Sequence, residues 1–243
     1  MQLSEMNRVF IFLILIFAAY FVQAQKMNTI DDEVLASITV NKTTEKIILD
    51  GQLDESIWQN AKPATNFSQY IPSADVIAEG QTEVFMASDD KYLYIAAKCY
   101  TTGSNFIVNS LKRDYPFFGT DNISFMFDTY SDKTNSFMFG INPYGVRREA
   151  LVSGGGRQGN DFAMSWDNKW DGEAKMYADF WIAEIAIPFS TLRFNDGAEK
   201  WRFNCYRYDT QLNEVSTWTN IPRNLIIANV GYMGDMVWEE AIQ

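Results

Sequence analysis

The stretch Ile48-Leu49-Asp50-Gly51-Gln52-Leu53-Asp54-Glu55-Ser56-Ile57-Trp58 carries an apolar run into a carboxylate-rich turn and then into a short Trp-bearing helix. Asp50-Gly51 reads as a turn former, and Asp54 stands where a helix takes its N-cap acceptor. Outward from this stretch the chain repeats one pattern, short alternating apolar and polar runs divided by turn residues, which is the mark of a sandwich or barrel. The alternation predicts strands over 37–40, 46–50, 82–87, 92–100, 122–128, 136–142, 147–152, 180–187 and 201–208. Asp89-Asp90-Lys91 and Ser131-Asp132-Lys133-Thr134 are hairpin turns between neighbours, and Asn142-Pro143-Tyr144-Gly145 is a third turn signal.

Residues 1–24 read as an export signal: Arg8 gives a weak positive start, Val9 to Val22 is apolar, and Val22-Gln23-Ala24 offers a cleavage point. The apolar run is short of the roughly 20 residues of a spanning helix. Residues 25–36 are expected to form a flexible leader, and 37–243 one domain with ample length for a sizeable core.

Composition removes several chemistries. The formal net charge is −11, so nucleic acid is a poor partner. The chain has no histidine, which excludes Ser-His-Asp and Cys-His catalysis, His-ligated zinc and His-ligated haem. Cys99 and Cys205 each fall on the apolar side of an alternating run, as two buried thiols or as a bridge between sheets. The glycine cluster Gly154-Gly155-Gly156-Arg157-Gln158-Gly159 reads as a loop tip, because no helical pattern follows to hold a phosphate.

Asp50, Asp54, Glu55, Asp121, Asp128, Asp167, Asp171 and Glu184 are the carboxylates from which a glycoside-hydrolysing pair would be drawn. Nothing in their spacing selects a pair, and no catalytic residue is assigned. A structural calcium ion suits an acidic exported β protein, but no DxDxDG-type loop is present and no metal ligand is assigned. Of the seven tryptophans, Trp58, Trp181 and Trp201 fall on apolar faces, whereas Trp166, Trp170, Trp218 and Trp238 lie near turns, where one or two exposed rings are expected.

Several motifs in order carry a resemblance: Ile48-Leu49-Asp50-Gly51-x-Leu53-Asp54-Glu55-x-x-Trp58, Asp89 to Ile95, Asp121-Asn122-Ile123 to Thr129, Ala183 to Phe189, Leu192-Arg193-Phe194 and Trp201-x-Phe203-Asn204. Together, over nearly the whole chain after residue 24, they resemble the family 9 carbohydrate-binding modules. The resemblance implies a two-sheet antiparallel β-sandwich, often attached to enzymes that degrade xylan or other polysaccharides, that binds sugar between aromatic side chains. The chain looks closest to the variety at the front of exported proteins whose remainder is an outer-membrane β-barrel. That implies export and an outer-membrane association, and it makes a protein-interaction or accessory domain of such a barrel the alternative function.

Carried over by position, the family's first stacking Trp corresponds to Phe118, its acidic sugar contact to Ser124 and its Arg contact to Gly140. The loop after Trp218 has no second stacking Trp. The resemblance therefore implies stacking on Phe118 and on Trp218, with hydrogen bonds from Arg113, Asp121, Ser124 or Asn142. Alternation turns Met126 and Met138 outward beside Ser124 and Gly140, as an apolar surface open to a partner or covered by Phe117, Phe118 or another loop.

Overall fold

A computed structural model describes residues 36–74 and 76–242. The expected signal at 1–24 lies outside the described residues, as does all of the expected leader except Ala36. The elements are β1 (Ser37–Lys42), a one-turn helix α1 (Ser56–Asn60), β2 (Ser68–Ile71), β3 (Thr82–Ser88), β4 (Tyr92–Tyr100), β5 (Asn122–Asp128), β6 (Ser136–Ile141) and β7 (Arg147–Val152). They continue with β8 (Phe162–Ala163), β9 (Asp171–Met176), β10 (Phe180–Pro188), β11 (Ala198–Asp209), β12 (Glu214–Thr217) and β13 (Gly234–Ile242).

The expected β-sandwich is present, with one seam. One sheet runs β8-β7-β6-β5-β11-β13 and adds β12 and then β2 beside the far end of β11. The other runs β3-β4-β10-β9. β1 belongs to both: Ser37 to Val40 pair with β13, and Asn41 and Lys42 pair with β3. Both β1 ladders are parallel while all the others are antiparallel, so the all-antiparallel expectation is corrected at this strand.

Alternation explains the core. Ile123, Phe125 and Phe127 of β5, Phe203 and Cys205 of β11, Leu93, Ile95, Ala97 and Cys99 of β4 and Trp181 of β10 all face inward and are sealed from solvent. Aromatic pairs cross this layer, with Phe127 5.3 Å from Phe203 and Trp201 at right angles to Trp238, 4.9 Å away. Cys99 and Cys205 are free buried thiols. The expectation of an exposed tryptophan fails: six of the seven are buried and Trp166 is half-buried against the core.

Two details of the opening stretch also change. Residues 46–50 form no strand; Ile47 is buried and Ile48 exposed, but the Ile48 N–H donates to the Glu55 carboxylate at 2.8 Å rather than to a ladder. The N-cap of α1 is Glu55, one residue later than Asp54, and its side chain caps no helix N–H because it is turned back to Ile48.

Candidate functional site

The face of the β5–β6–β7–β11 sheet that points away from the core is where the site is built. Register aligns Arg148, Gly140, Ser124 and Tyr206 across β7, β6, β5 and β11 as one row. The next row holds Ala150, Met138, Met126 and Asn204.

Met126 and Met138 do face away from the main core, but they are not a free surface. The segment after β12 folds back over them, so that Met126, Met138, Ala150 and Val152 pack with Ile227, Ala228, Val230 and Met233 as a second core. Arg202 on β11 fixes that segment by donating to the carbonyls of Val230, Gly231 and Met233. Asn204 anchors its start by accepting the Thr219 N–H at 3.1 Å.

The Arg148 row is covered from the other side. The loop before β5 runs along the edge of β7, where Asp114 N–H donates to the Arg147 carbonyl and the Asp114 carboxylate accepts the Glu149 N–H. It then lays Tyr115 and Phe117 over the face. The Phe117 ring is 5.0 Å from Tyr206 and edge-on to it, and the Arg148 guanidinium lies 5.7 Å from the rings of both Tyr115 and Phe117. Phe118 follows at the rim, 61% exposed, with its ring 5.1 Å from Phe117 and 6.1 Å from Tyr208.

Gly140 makes this arrangement possible. A Cβ there would sit 2.7 Å from Arg148 Cγ and 2.7 Å from Ser124 Oγ, so only glycine lets the arginine lie across the strand. The position that resemblance assigned to an arginine contact thus has no side chain of its own, yet receives a guanidinium from the neighbouring strand. Sequence reasoning missed Arg148. The signal was present, since counting outward from Tyr144 through the 142–145 turn sets 140 opposite 148.

The six residues expected at the site separate into two groups. Phe118 is exposed, and Ser124 and Asn142 lie on the face turned away from the main core but are buried. The Ser124 hydroxyl donates to the Asn122 side-chain oxygen at 3.4 Å; Asn142 Oδ1 accepts the N–H groups of Tyr144 and Val146, leaving its Nδ2 without a partner. Arg113 turns to the opposite side of β7 and pairs with the buried Glu149, whose other oxygen accepts Trp170 Nε1–H at 3.2 Å.

Asp121 precedes Ile123 by two residues and therefore points inward. Its carboxylate accepts the N–H groups of Ile107 at 2.7 Å and Thr210 at 2.9 Å, and burial raises its pKa despite those bonds. Trp218 is in the core against Phe203, 5.5 Å away, because its N–H continues the ladder to the Cys205 carbonyl. Arg113, Asp121 and Trp218 thus each hold a neighbouring part of the fold.

The acids named as a possible hydrolytic pair are engaged with backbone where they are buried. Glu184 accepts Asp50 and Gly51, Glu55 accepts Ile48, and Asp128 accepts Asp132 and Lys133. Among the described residues no three His, Cys, Asp or Glu side chains converge as metal ligands.

Comparison with solved structures finds the same fold in other proteins. A family 9 carbohydrate-binding module from Caldicellulosiruptor kristjanssonii in complex with glucose superimposes with a TM-score of 0.61 at 13% identity, over 84% of this chain and 96% of that one. The same kind of module from that organism in complex with cellotriose gives 0.60 at 13% identity, over 84% and 94%. A "putative carbohydrate-binding protein" from Bacteroides uniformis gives 0.62 at 12% identity, over 84% and 100%. The chain therefore has the β-sandwich fold of carbohydrate-binding modules. Within that class the fold is the family 9 one. No protein-family model matches the sequence, and no curated protein does.

Proposed function

We propose that this protein is a non-catalytic module that binds a saccharide at the rim formed by Phe118, Phe117 and Tyr208. The carrying observation is Phe118, an aromatic ring 61% exposed beside a row of buried hydrogen-bond donors. A pyranose offers exactly the complementary pair, an apolar C–H face for the ring and hydroxyls for the donors. Arg148, against the Phe117 ring, and Tyr115 and Asn142 carry buried donors without a protein partner, with Ser124 in the same cross-strand row as Arg148.

Export through residues 1–24 and service in the breakdown of xylan-type or other glycans belong to the same proposal, the module acting by holding its partner near the polysaccharide. The likeness of fold to modules that hold glucose and cellotriose supports this reading.

The test is affinity electrophoresis of the protein through a panel of soluble polysaccharides, with calcium and with chelator. Specific retardation is expected, and Phe118→Ala is expected to remove it without altering thermal unfolding. Unchanged retardation of a folded Phe118→Ala protein sinks the site. A folded wild-type protein retarded by no glycan turns the assignment toward the accessory domain of an outer-membrane barrel.

A further inference from the structure

We infer that the Arg148 guanidinium is the receptor for a carboxylate, so that the ligand is an acidic saccharide, one carrying uronic acid residues, and not a neutral one. The inference rests on the saccharide reading of the Phe118 rim and adds the chemistry of the group bound there.

Arginine stays protonated in proteins, and a buried charge is normally paired or fully hydrogen-bonded. The other buried arginines of this fold obey that rule. Arg207 donates to the carbonyls of Gly80, Gln81 and Tyr100, to the Thr82 hydroxyl and to the Asp209 carboxylate, 2.7 Å away. Arg202 reaches three carbonyls. The half-exposed Arg113 and Arg147 each hold a carboxylate.

Arg148 is 6% exposed and has neither an ion pair nor a hydrogen bond among the described residues. Its Nε and Nη1 are buried with no partner, which leaves Nη2 as the edge of the guanidinium toward solvent. The two aromatic faces at 5.7 Å attract the cation but accept no N–H in its plane.

The groups around it are unmatched in the same sense. Tyr115 hydroxyl and Asn142 Nδ2 are also buried without partners. The buried carboxylate oxygens left unpartnered in the described residues, on Glu55 and Glu184, belong to the opening stretch and β10. The Asp114 carboxylate is turned to the Glu149 N–H. The site lacks an anionic acceptor, and the solvent-facing Nη2 offers a carboxylate a charge-assisted hydrogen bond from a cation that has no other partner.

The global charge works as a built-in control. At −11 the protein repels polyanions at long range, so a preference for an acidic glycan must come from local contacts.

The experiment measures retention of the full chain on polygalacturonate, alginate and glucuronoxylan, each beside its own carboxyl-reduced, neutral form, followed by elution with free glucuronate or glucose. The expected result is retention of at least one acidic glycan about tenfold tighter than its reduced form, with elution by glucuronate and not by glucose. Arg148→Gln abolishes the difference and Arg148→Lys keeps part of it.

Equal retention of acidic and reduced forms overturns the inference while leaving the saccharide reading in place. Retention of neither form of any glycan overturns both. Equal retention on dextran sulfate also overturns it, since charge alone would then suffice. Where Arg148→Gln fails to fold, the wild-type elution decides, and release by glucose and glucuronate alike counts against.

Discussion

The Glu184 carboxylate accepts the backbone N–H of Gly51 at 2.7 Å, joining positions 133 apart in sequence. The same oxygen takes the Asp50 N–H at 3.1 Å, so the turn that opens the chain's most readable motif is clasped onto β10. Gly51 has φ +73°, and a Cβ there would lie 2.3 Å from Lys175 Cβ on β9. The motif is a structural clasp between the opening turn and the second sheet, not a ligand site.

Gly51→Ala combines a left-handed backbone with a backbone-adjacent clash, so a loss of about 2 kcal/mol or more is expected. Urea denaturation with an unchanged m-value measures it. A variant as stable as the parent would show that the turn is not clasped.

Glu184 gives a pH signature. Burial holds its pKa up at about 7, above the ordinary carboxyl value, with the Gly51 and Asp50 N–H groups opposing the rise. A raised folded-state pKa contributes stability that is complete below the unfolded value and is lost as pH climbs to about 7, a swing on the order of 3 kcal/mol. Glu184→Gln should therefore flatten the fall in unfolding temperature between pH 4.5 and 7, gaining most above neutrality. Parallel pH profiles of the two proteins would refute this.

Among the described residues, Arg207→Met strips the one charged partner from the buried Asp209 and removes the guanidinium's bonds to the Gly80, Gln81 and Tyr100 carbonyls. Breaking a buried pair from one side costs roughly 3–5 kcal/mol. Calorimetry of the variant checks the size, and the Arg207→Met, Asp209→Leu double variant should recover part of it.

Gly140→Ala forces Arg148 off the strand. Overpacking of this kind costs about 1–3 kcal/mol, and loss of glycan retention should accompany it even in conditions where the variant is fully folded. Retention equal to the parent would show that the arginine does not contact the ligand.

Cys99 should be inert in the native state. Complete burial pushes its thiol up to about 12, with Arg207 opposing only in part. Ellman's reagent at pH 8 is expected to find no reactive thiol until denaturant is added. A fast native reaction would mean that the two sheets part.

The central strands were legible because one face of each is core and the alternation is clean, as in Ile123, Phe125 and Phe127. β9 was missed because Asp171 to Met176 is a polar strand with no buried residue at the edge of its sheet, and β12 because four residues carry too little period. Residues 46–50 show the opposite error, an alternating run whose backbone is satisfied by a carboxylate and not by a neighbour. At the candidate site, Phe118 could be proposed by motif alone. Arg148 could not, since its contribution depends on strand register and on the missing side chain of Gly140.

The parallel seam at β1 sets the timetable of assembly. Ser37 stands in register with Asp235, whose N–H donates to the Ala36 carbonyl, so β1 has no partner on one side until β13 has been made. Pairings this distant in sequence are slow to close. A chain emerging from a ribosome would therefore keep this seam open until β13 arrives, and only then would the two ends of the domain latch.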